Sequence, residues 1–286
     1  MKIRKFILPR TVQDIAATSF LSCCIPITFW FEVWIVLPDI HGYLSFFHVL
    51  HCIPAIFLLF NITTNFLAIL MCDTSIQTEI INVPPNTQID STSSTKTWHL
   101  CAMCETVVPP RSWHCNVCKA CILKRDHHCV FTGCCIGHKN HRYFIIFVFY
   151  LFIATTYSCI YNNYFIWVQH GEEFRTWTSF VKIIFPLAML MIDTSVKQYY
   201  LVIYLINMIG MFFTGVLLIY HGRLILNGAV VHERKSPEYN LGKWENLKMV
   251  LGERWYFALL SPFMESRLPH NGVNWETILK ETTKNR

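Results

Sequence analysis

Eight of the 13 cysteines in this chain fall between Cys101 and Cys135, in the pattern Cys101-x2-Cys104-x9-His114-Cys115-x2-Cys118-x2-Cys121-x4-Asp126-His127-His128-Cys129-x5-Cys135. Thiolates and imidazoles at such short separations suit Zn(II), which prefers four nitrogen or sulfur ligands in a tetrahedron. Two closed sites need eight ligands. The eight cysteines with His114, His127, His128, His138 and His141 offer more than that. The surplus has two readings: the extra groups lie outside the metal sphere, or one thiolate is kept free as a nucleophile. Asp126-His127-His128-Cys129 is where such a nucleophile would stand. A cysteine needs a base to take its proton or a cation to hold the thiolate, and a histidine serves as base when a carboxylate fixes its tautomer. Lys124 and Arg125 add positive charge. Spacing alone leaves catalysis and a purely structural zinc role both open.

Composition indicates what holds these residues. Of 286 residues, 53% are hydrophobic and only 15% charged, where a soluble domain carries about 25% charged residues; the mean hydropathy is +0.36. Disorder, collagen, coiled coil and a small secreted disulfide scaffold are excluded by these numbers. A membrane-crossing helix needs about 20 mostly apolar residues. Four stretches qualify: Ile15 to Leu37, Leu44 to Met71, Tyr143 to Val168 and Tyr199 to Tyr220. The second holds Asn61, Thr63, Thr64 and Asn65, polar residues that face other helices rather than lipid. Phe180 to Ile192 is too short to span and contains Lys182 and Pro186. The first stretch is too long for a signal peptide and shows no cleavage site.

Basic residues mark the cytosolic side. They gather at the N-terminus (Lys2, Arg4, Lys5, Arg10), in the middle loop (Lys96, Arg111, Lys119, Lys124, Arg125, Lys139, Arg142) and in the tail, which has ten more from Arg223 to Arg286. The opposite side has only Arg175, Lys182 and Lys197. The termini and the cysteine-rich loop are therefore expected in the cytosol, where thiols stay reduced. Basic loops against an anionic leaflet account for the net charge of +6 without nucleic acid. A zinc-finger nucleic-acid binder is further disfavoured because the module is tethered between two spans and has no recognition helix. Cys129 lies fourteen residues before Tyr143. A nucleophile so near the bilayer suits attack on a thioester whose fatty tail stays in hydrocarbon, each buried CH2 contributing about 0.8 kcal/mol.

The loop resembles the DHHC protein S-acyltransferases (palmitoyltransferases). The resemblance extends to Pro109-Pro110-Arg111-Ser112 before His114-Cys115, to Gly137-x2-Asn140-x3-Phe144 leading into the third span, and to the four-span layout. It implies two structural Zn(II) ions, one on Cys101, Cys104, His114 and Cys121, the other on Cys115, Cys118, His128 and Cys135. It leaves Cys129 as the acylated nucleophile, His127 as its base and Asp126 as the residue orienting that base. Some positions depart from the family pattern. Val130-Phe131 stands for the usual Pro-Trp, and Gly133-Cys134-Cys135 for Asn-Asn-Cys, so that Cys134 competes with Cys135 as a ligand. Val230-Val231-His232-Glu233 is a reduced form of the family's Thr-Thr-x-Glu. Tyr239-Asn240-x-Gly242 and Asn246-x4-Leu251-Gly252 resemble its C-terminal element, in which the Asn packs against the active-site domain.

The fold expected is an all-α polytopic membrane protein with four transmembrane helices and a cytosolic zinc-binding cysteine-rich domain between spans 2 and 3. Its parts are the N-terminus with helices 1–2 (1–72), a linker (73–95), the cysteine-rich domain (96–142), helices 3–4 with a lumenal loop (143–222) and a cytosolic tail (223–286). The resemblance implies transfer of a long-chain acyl group from acyl-CoA (palmitoyl-CoA), through acyl-Cys129, to membrane-proximal cysteines of substrate proteins, in the Golgi or endoplasmic reticulum. Membrane lipids, acyl-CoA and those proteins are the expected partners, with no nucleic acid. The competing reading is a catalytically inactive, zinc-stabilised membrane scaffold or chaperone.

Overall fold

Long runs of apolar residues make four helices: α1 (Val12–His41), α2 (Phe46–Met71), α3 (His141–Gln169) and α4 (Val196–Leu226), each long and apolar enough to cross a membrane. The computed structural model describes residues 3–4, 7–78, 83–84, 89–90, 97–235 and 238–275. Lys2, Lys5, Lys96, much of the expected linker (79–82, 85–88 and 91–95) and the tail from residue 276 onward lie outside the described residues. Helices α1, α3 and α4 overrun the stretches read from hydropathy, because polar residues such as Asp14, His141 and His221 continue the helix beyond the apolar run, whereas α2 starts at Phe46, two residues inside its expected stretch, and ends with it at Met71. Pro26 and Pro54 sit inside α1 and α2; neighbouring helices and local readjustment tolerate proline in a span. The stretch from 180 to 192, too short to span, is divided at Phe185 between two short helices, Trp177–Ile184 and Pro186–Ile192.

The chain divides into two compact units. One comprises residues 22–62 and 148–218. Its core packs Phe31 and Val36 against Phe165, Ile166, Phe174, Leu201 and Tyr204. Glu32, buried there, accepts a hydrogen bond from Ser158 Oγ, which in turn accepts one from Asn162 Nδ2 at 3.1 Å.

The other unit comprises residues 1–21, 63–147 and 219–286, and contains the cysteine-rich segment. That segment is not helical. It folds as three hairpins of short antiparallel strands: β2 (Trp98–Cys101) with β3 (Thr106–Val108), β4 (Trp113–Cys115) with β5 (Ala120–Ile122), and β6 (His127–Cys129) with β7 (Cys134–Ile136). A two-residue strand, β1 (Ile89–Asp90), pairs in parallel with β2. Each hairpin closes through a residue with positive φ: Glu105 at 51°, Lys119 at 53° and Gly133 at 55°. Left-handed residues of this kind let a short loop follow the twist of its strands.

The tail packs onto this unit through a buried arginine. Arg111, 1% exposed, donates from Nε to Glu233 Oε1 at 2.8 Å and from Nη2 to Oε2 at 2.5 Å and to the Gly228 carbonyl at 2.8 Å. Its guanidinium lies 4.1 Å from the Tyr239 ring centroid and 4.4 Å from that of Trp275. A planar cation with five donors suits this combination of forked pairing and ring stacking. Asn246 lines the same small cavity as Arg111 and Lys124 of the cysteine-rich segment and ties the tail to the end of α4, donating to the Leu226 carbonyl at 2.9 Å and to Asn240 Oδ1 at 2.7 Å. Removing one partner of a buried pair strands the other charge, at a cost of about 3–5 kcal/mol, whereas replacing both by apolar groups costs far less. Glu233→Ala is therefore expected to lower unfolding stability in detergent by about 3–5 kcal/mol, with most of the loss recovered in Arg111→Met/Glu233→Leu. A double variant no more stable than the single one would refute this account of the pair.

Candidate active site and metal centres

Register across the hairpins explains which thiols gather. His114 stands opposite Cys121 in the β4–β5 pair, and His128 opposite Cys135 in the β6–β7 pair. Directly opposed residues share a face, and neighbours along a strand do not. His114 and Cys115 therefore belong to different clusters although adjacent in sequence. The structure brings Cys101, Cys104, His114 and Cys121 together as one group, and Cys115, Cys118, His128 and Cys135 as another, all ligand atoms within 4.8 Å of one another. In the first group His114 Nδ1 is 3.2 Å from Cys104 Sγ and 3.9 Å from Cys121 Sγ, with the two sulfurs 3.7 Å apart. In the second, His128 Nδ1 lies 3.4, 3.7 and 3.8 Å from the sulfurs of Cys118, Cys115 and Cys135, and Cys118 is 3.7 Å from Cys135. Zn–S bonds of about 2.3 Å and Zn–N bonds of about 2.0 Å give a tetrahedron with edges of roughly 3.5–3.8 Å. Both groups fit that ion.

Cys134, the competing ligand, pairs with Cys129 across the hairpin and so faces away from the second cluster. Its thiol is buried against the Ile69 carbonyl and Thr132 Oγ1, and burial raises its pKa to about 11. Of the surplus histidines, His138 is held by the His270 carbonyl at 2.8 Å, and His141 lies beside Asp126.

The two-residue period of β6 turns His127 and Cys129 to the face opposite His128. His127 Nδ1 donates to Asp126 Oδ2 at 2.7 Å. Burial opposes ionisation of Asp126, but the hydrogen bonds from His127 and His221 outweigh it and hold the carboxyl well below its usual range. Burial likewise opposes charge on His127, yet Asp126 and then the Cys129 thiol raise it to about 9. Cys129, half-buried, is resisted by burial and favoured by the hydrogen bond and charge of His127, with smaller help from Thr132 and the Phe131 backbone; the net effect lowers its pKa. Asp126 thus holds the imidazole that shares a face of β6 with the Cys129 thiol, a combination of groups suited to activating a cysteine.

Groups from other elements surround Asp126 and His127; of the side chains among them, the sequence pattern names His141 and Phe144 but not His221. His221, on α4, places Nδ1 3.3 Å from Asp126 Oδ2 and its ring 5.0 Å from that of His127. His141 joins Asp126 and His221 in a buried group, and Phe144 meets the His127 ring edge-on at 5.1 Å. An ionisable residue at the end of an apolar span was the available signal for His221. The remaining contact comes from the segment that resembles the family's Thr-Thr-x-Glu: the backbone N–H of Val231 donates to Asp126 Oδ1 at 3.1 Å. Because the backbone makes this bond, the change from Thr-Thr to Val230-Val231 does not remove it. In the same turn His232 stacks on Trp113 at 4.6 Å.

Residues 94–237, half of the chain, match the family model described as DHHC palmitoyltransferase. Among curated proteins, the chain is 33% identical over 184 residues to the "Probable palmitoyltransferase ZDHHC24" of Danio rerio, a match covering 63% of this chain and 62% of that protein. The Homo sapiens protein of the same name is 30% identical over 187 residues, 63% of this chain and 64% of its own length. The "Palmitoyltransferase ZDHHC16" of Mus musculus is 29% identical over 220 residues, 69% of this chain and 59% of the relative. Each match spans less than two thirds of the relative.

Metal analysis of the purified chain is expected to find about two zinc ions, each closed tetrahedral site holding one. Cys135→Ser should retain about one ion and Cys134→Ser both. Loss of zinc from Cys134→Ser would overturn the register argument.

Proposed function

We propose that this chain, which belongs to the DHHC palmitoyltransferase family, is an integral membrane protein-cysteine S-acyltransferase with Cys129 as its nucleophile. The observation that carries the reading is the 2.7 Å hydrogen bond from His127 to Asp126, with Cys129 on the same face of β6 as His127, while His128, between them in sequence, turns to a thiol cluster. Among the described residues, Cys129 belongs to neither thiol cluster.

The acyl donor in this reading is a long-chain acyl-CoA such as palmitoyl-CoA. The Cys129 thiolate attacks the thioester carbonyl carbon, the carbon–sulfur bond to CoA breaks, and the CoA thiolate leaves with the proton carried by His127. In the second half, His127 takes the proton of a substrate protein's cysteine. That sulfur attacks the acyl-Cys129 carbonyl, and Cys129 leaves as thiolate. One thioester is exchanged for another in each half, so no further energy source is needed. Asp126 keeps His127 in the tautomer whose Nε2 faces the sulfur. Zinc on the two clusters supplies folding energy, and the chain's own residues carry the chemistry.

The excess of basic residues in the segments flanking α1, α2, α3 and α4 on one side supports a cytosolic cysteine-rich domain. Substrate cysteines would then lie at the cytosolic membrane face, in the endoplasmic reticulum or Golgi, which is the habit of the family.

Incubation of the purified chain with labelled palmitoyl-CoA is expected to give a hydroxylamine-labile label on the protein. Cys129→Ser should lose the label and Cys134→Ser keep it. A wild-type chain that binds zinc and stays unlabelled would leave the inactive scaffold as the reading.

A further inference from the structure

The first turns of α1 reach the β6–β7 hairpin that carries Cys129. Thr11 caps the helix, its Oγ1 accepting from the Asp14 N–H at 3.1 Å. Asp14 is 1% exposed, and its Oδ1 lies 3.3 Å from His128 Nε2, the ring nitrogen opposite the one facing the thiol cluster. One helical turn later, on the same face, Thr18 Oγ1 donates to the Val130 carbonyl at 3.3 Å. The chain before the helix continues the contact. Arg10 Nη1 donates to the Cys118 carbonyl at 2.7 Å. Pro9 packs so closely on Gly133 that a Cβ there would lie 2.8 Å from the Pro9 Cβ. Gly133 is one of the departures from the family pattern, and its missing side chain is what this approach requires.

We propose that Asp14 and Thr18 are positioning residues of the active site, gripping His128 and Val130 on either side of Cys129, and that Asp14 is the carboxylate partner of the His128 metal ligand. A ligating histidine that donates its second N–H to a carboxylate has its tautomer and ring orientation fixed and its basicity raised. The two metal centres differ in this respect. Nε2 of His114 is buried with no hydrogen-bond partner, so only the centre next to the nucleophile is braced by α1. Because His128 and Cys129 share β6, holding the ring from behind also holds the strand that presents the thiol. The kinetic part rests on the reading of Cys129 as nucleophile; the metal part does not.

The test uses the full chain in detergent, loaded with zinc and challenged with excess chromogenic chelator, with release followed in time. In Asp14→Ala one zinc equivalent is expected to leave roughly 10–100-fold faster than in wild type while the other keeps its rate. Asp14→Asn retains an oxygen acceptor without the charge and should restore most of the retention, with that equivalent leaving about 10-fold faster at most. Thr18→Val should hold both equivalents like wild type yet lower the rate of labelling by palmitoyl-CoA several-fold, with its dependence on palmitoyl-CoA concentration unchanged. Wild-type release in both Asp14 variants, or equal acceleration of both equivalents, would overturn the role of Asp14. Wild-type labelling of Thr18→Val would overturn that of Thr18. If the wild-type chain takes no label at all, the acyltransferase reading fails, and the zinc measurement still decides the role of Asp14.

Discussion

An extended strand repeats every two residues, and at His127-His128-Cys129 that period separates two chemistries that are neighbours in sequence. His128 faces three thiols, while His127 and Cys129 face the opposite way beside Asp126. The partner strand obeys the same rule: Cys135, opposite His128, joins the thiols, and Cys134, opposite Cys129, does not. A slip of one residue would exchange the two sets, delivering Cys134 to the metal cluster. The short turn at Gly133, with φ of 55°, fixes the register against that slip.

Strands of three residues are too short to hold themselves together, since an isolated two-stranded hairpin is at best marginal in water. The apolar clusters beneath them are small. One consists of Ile76, Trp98, Cys101, Val108, Cys121, Leu123 and Val273, and another of Cys115, Ile122 and Cys135. Structural zinc contributes on the order of 10–16 kcal/mol in small peptide domains, far above what one such cluster supplies. A metal held by the two thiol clusters would therefore decide the fold of this segment, and with it the geometry at Cys129.

Buried charge joins the tail to the same site. The single helical turn Val231–Glu233 presents a backbone N–H to Asp126 and a carboxylate to Arg111, so three residues serve both the carboxylate that holds His127 and the arginine beside it. Lys124, buried nearby, has its pKa lowered to about 7 by burial and by the charge of Arg111. A network of this kind adds little net stability when complete, because desolvation offsets attraction, but losing one member leaves an uncompensated charge. That asymmetry makes it a determinant of one arrangement rather than a source of extra stability.

Four apolar runs and a cysteine–histidine pattern are local properties of the chain, so the spans and the two groups of candidate metal ligands could be read from the sequence, the ligand sets with the help of the family resemblance. The helix ends could not, because Asp14, His141 and His221 stand outside the apolar runs yet remain helical. The strands of the metal domain were equally hidden, as three-residue strands carry no usable periodicity. Cys134 and Cys135 are chemically identical neighbours, and only the pairing of β6 with β7 distinguishes them. The contacts of His221, Val231, Arg111 and Asp14 link positions about a hundred residues apart. Such partners are chosen by how the elements pack, which no local pattern encodes; the sequence determined which groups are available for chemistry, and the tertiary structure decided which of them meet.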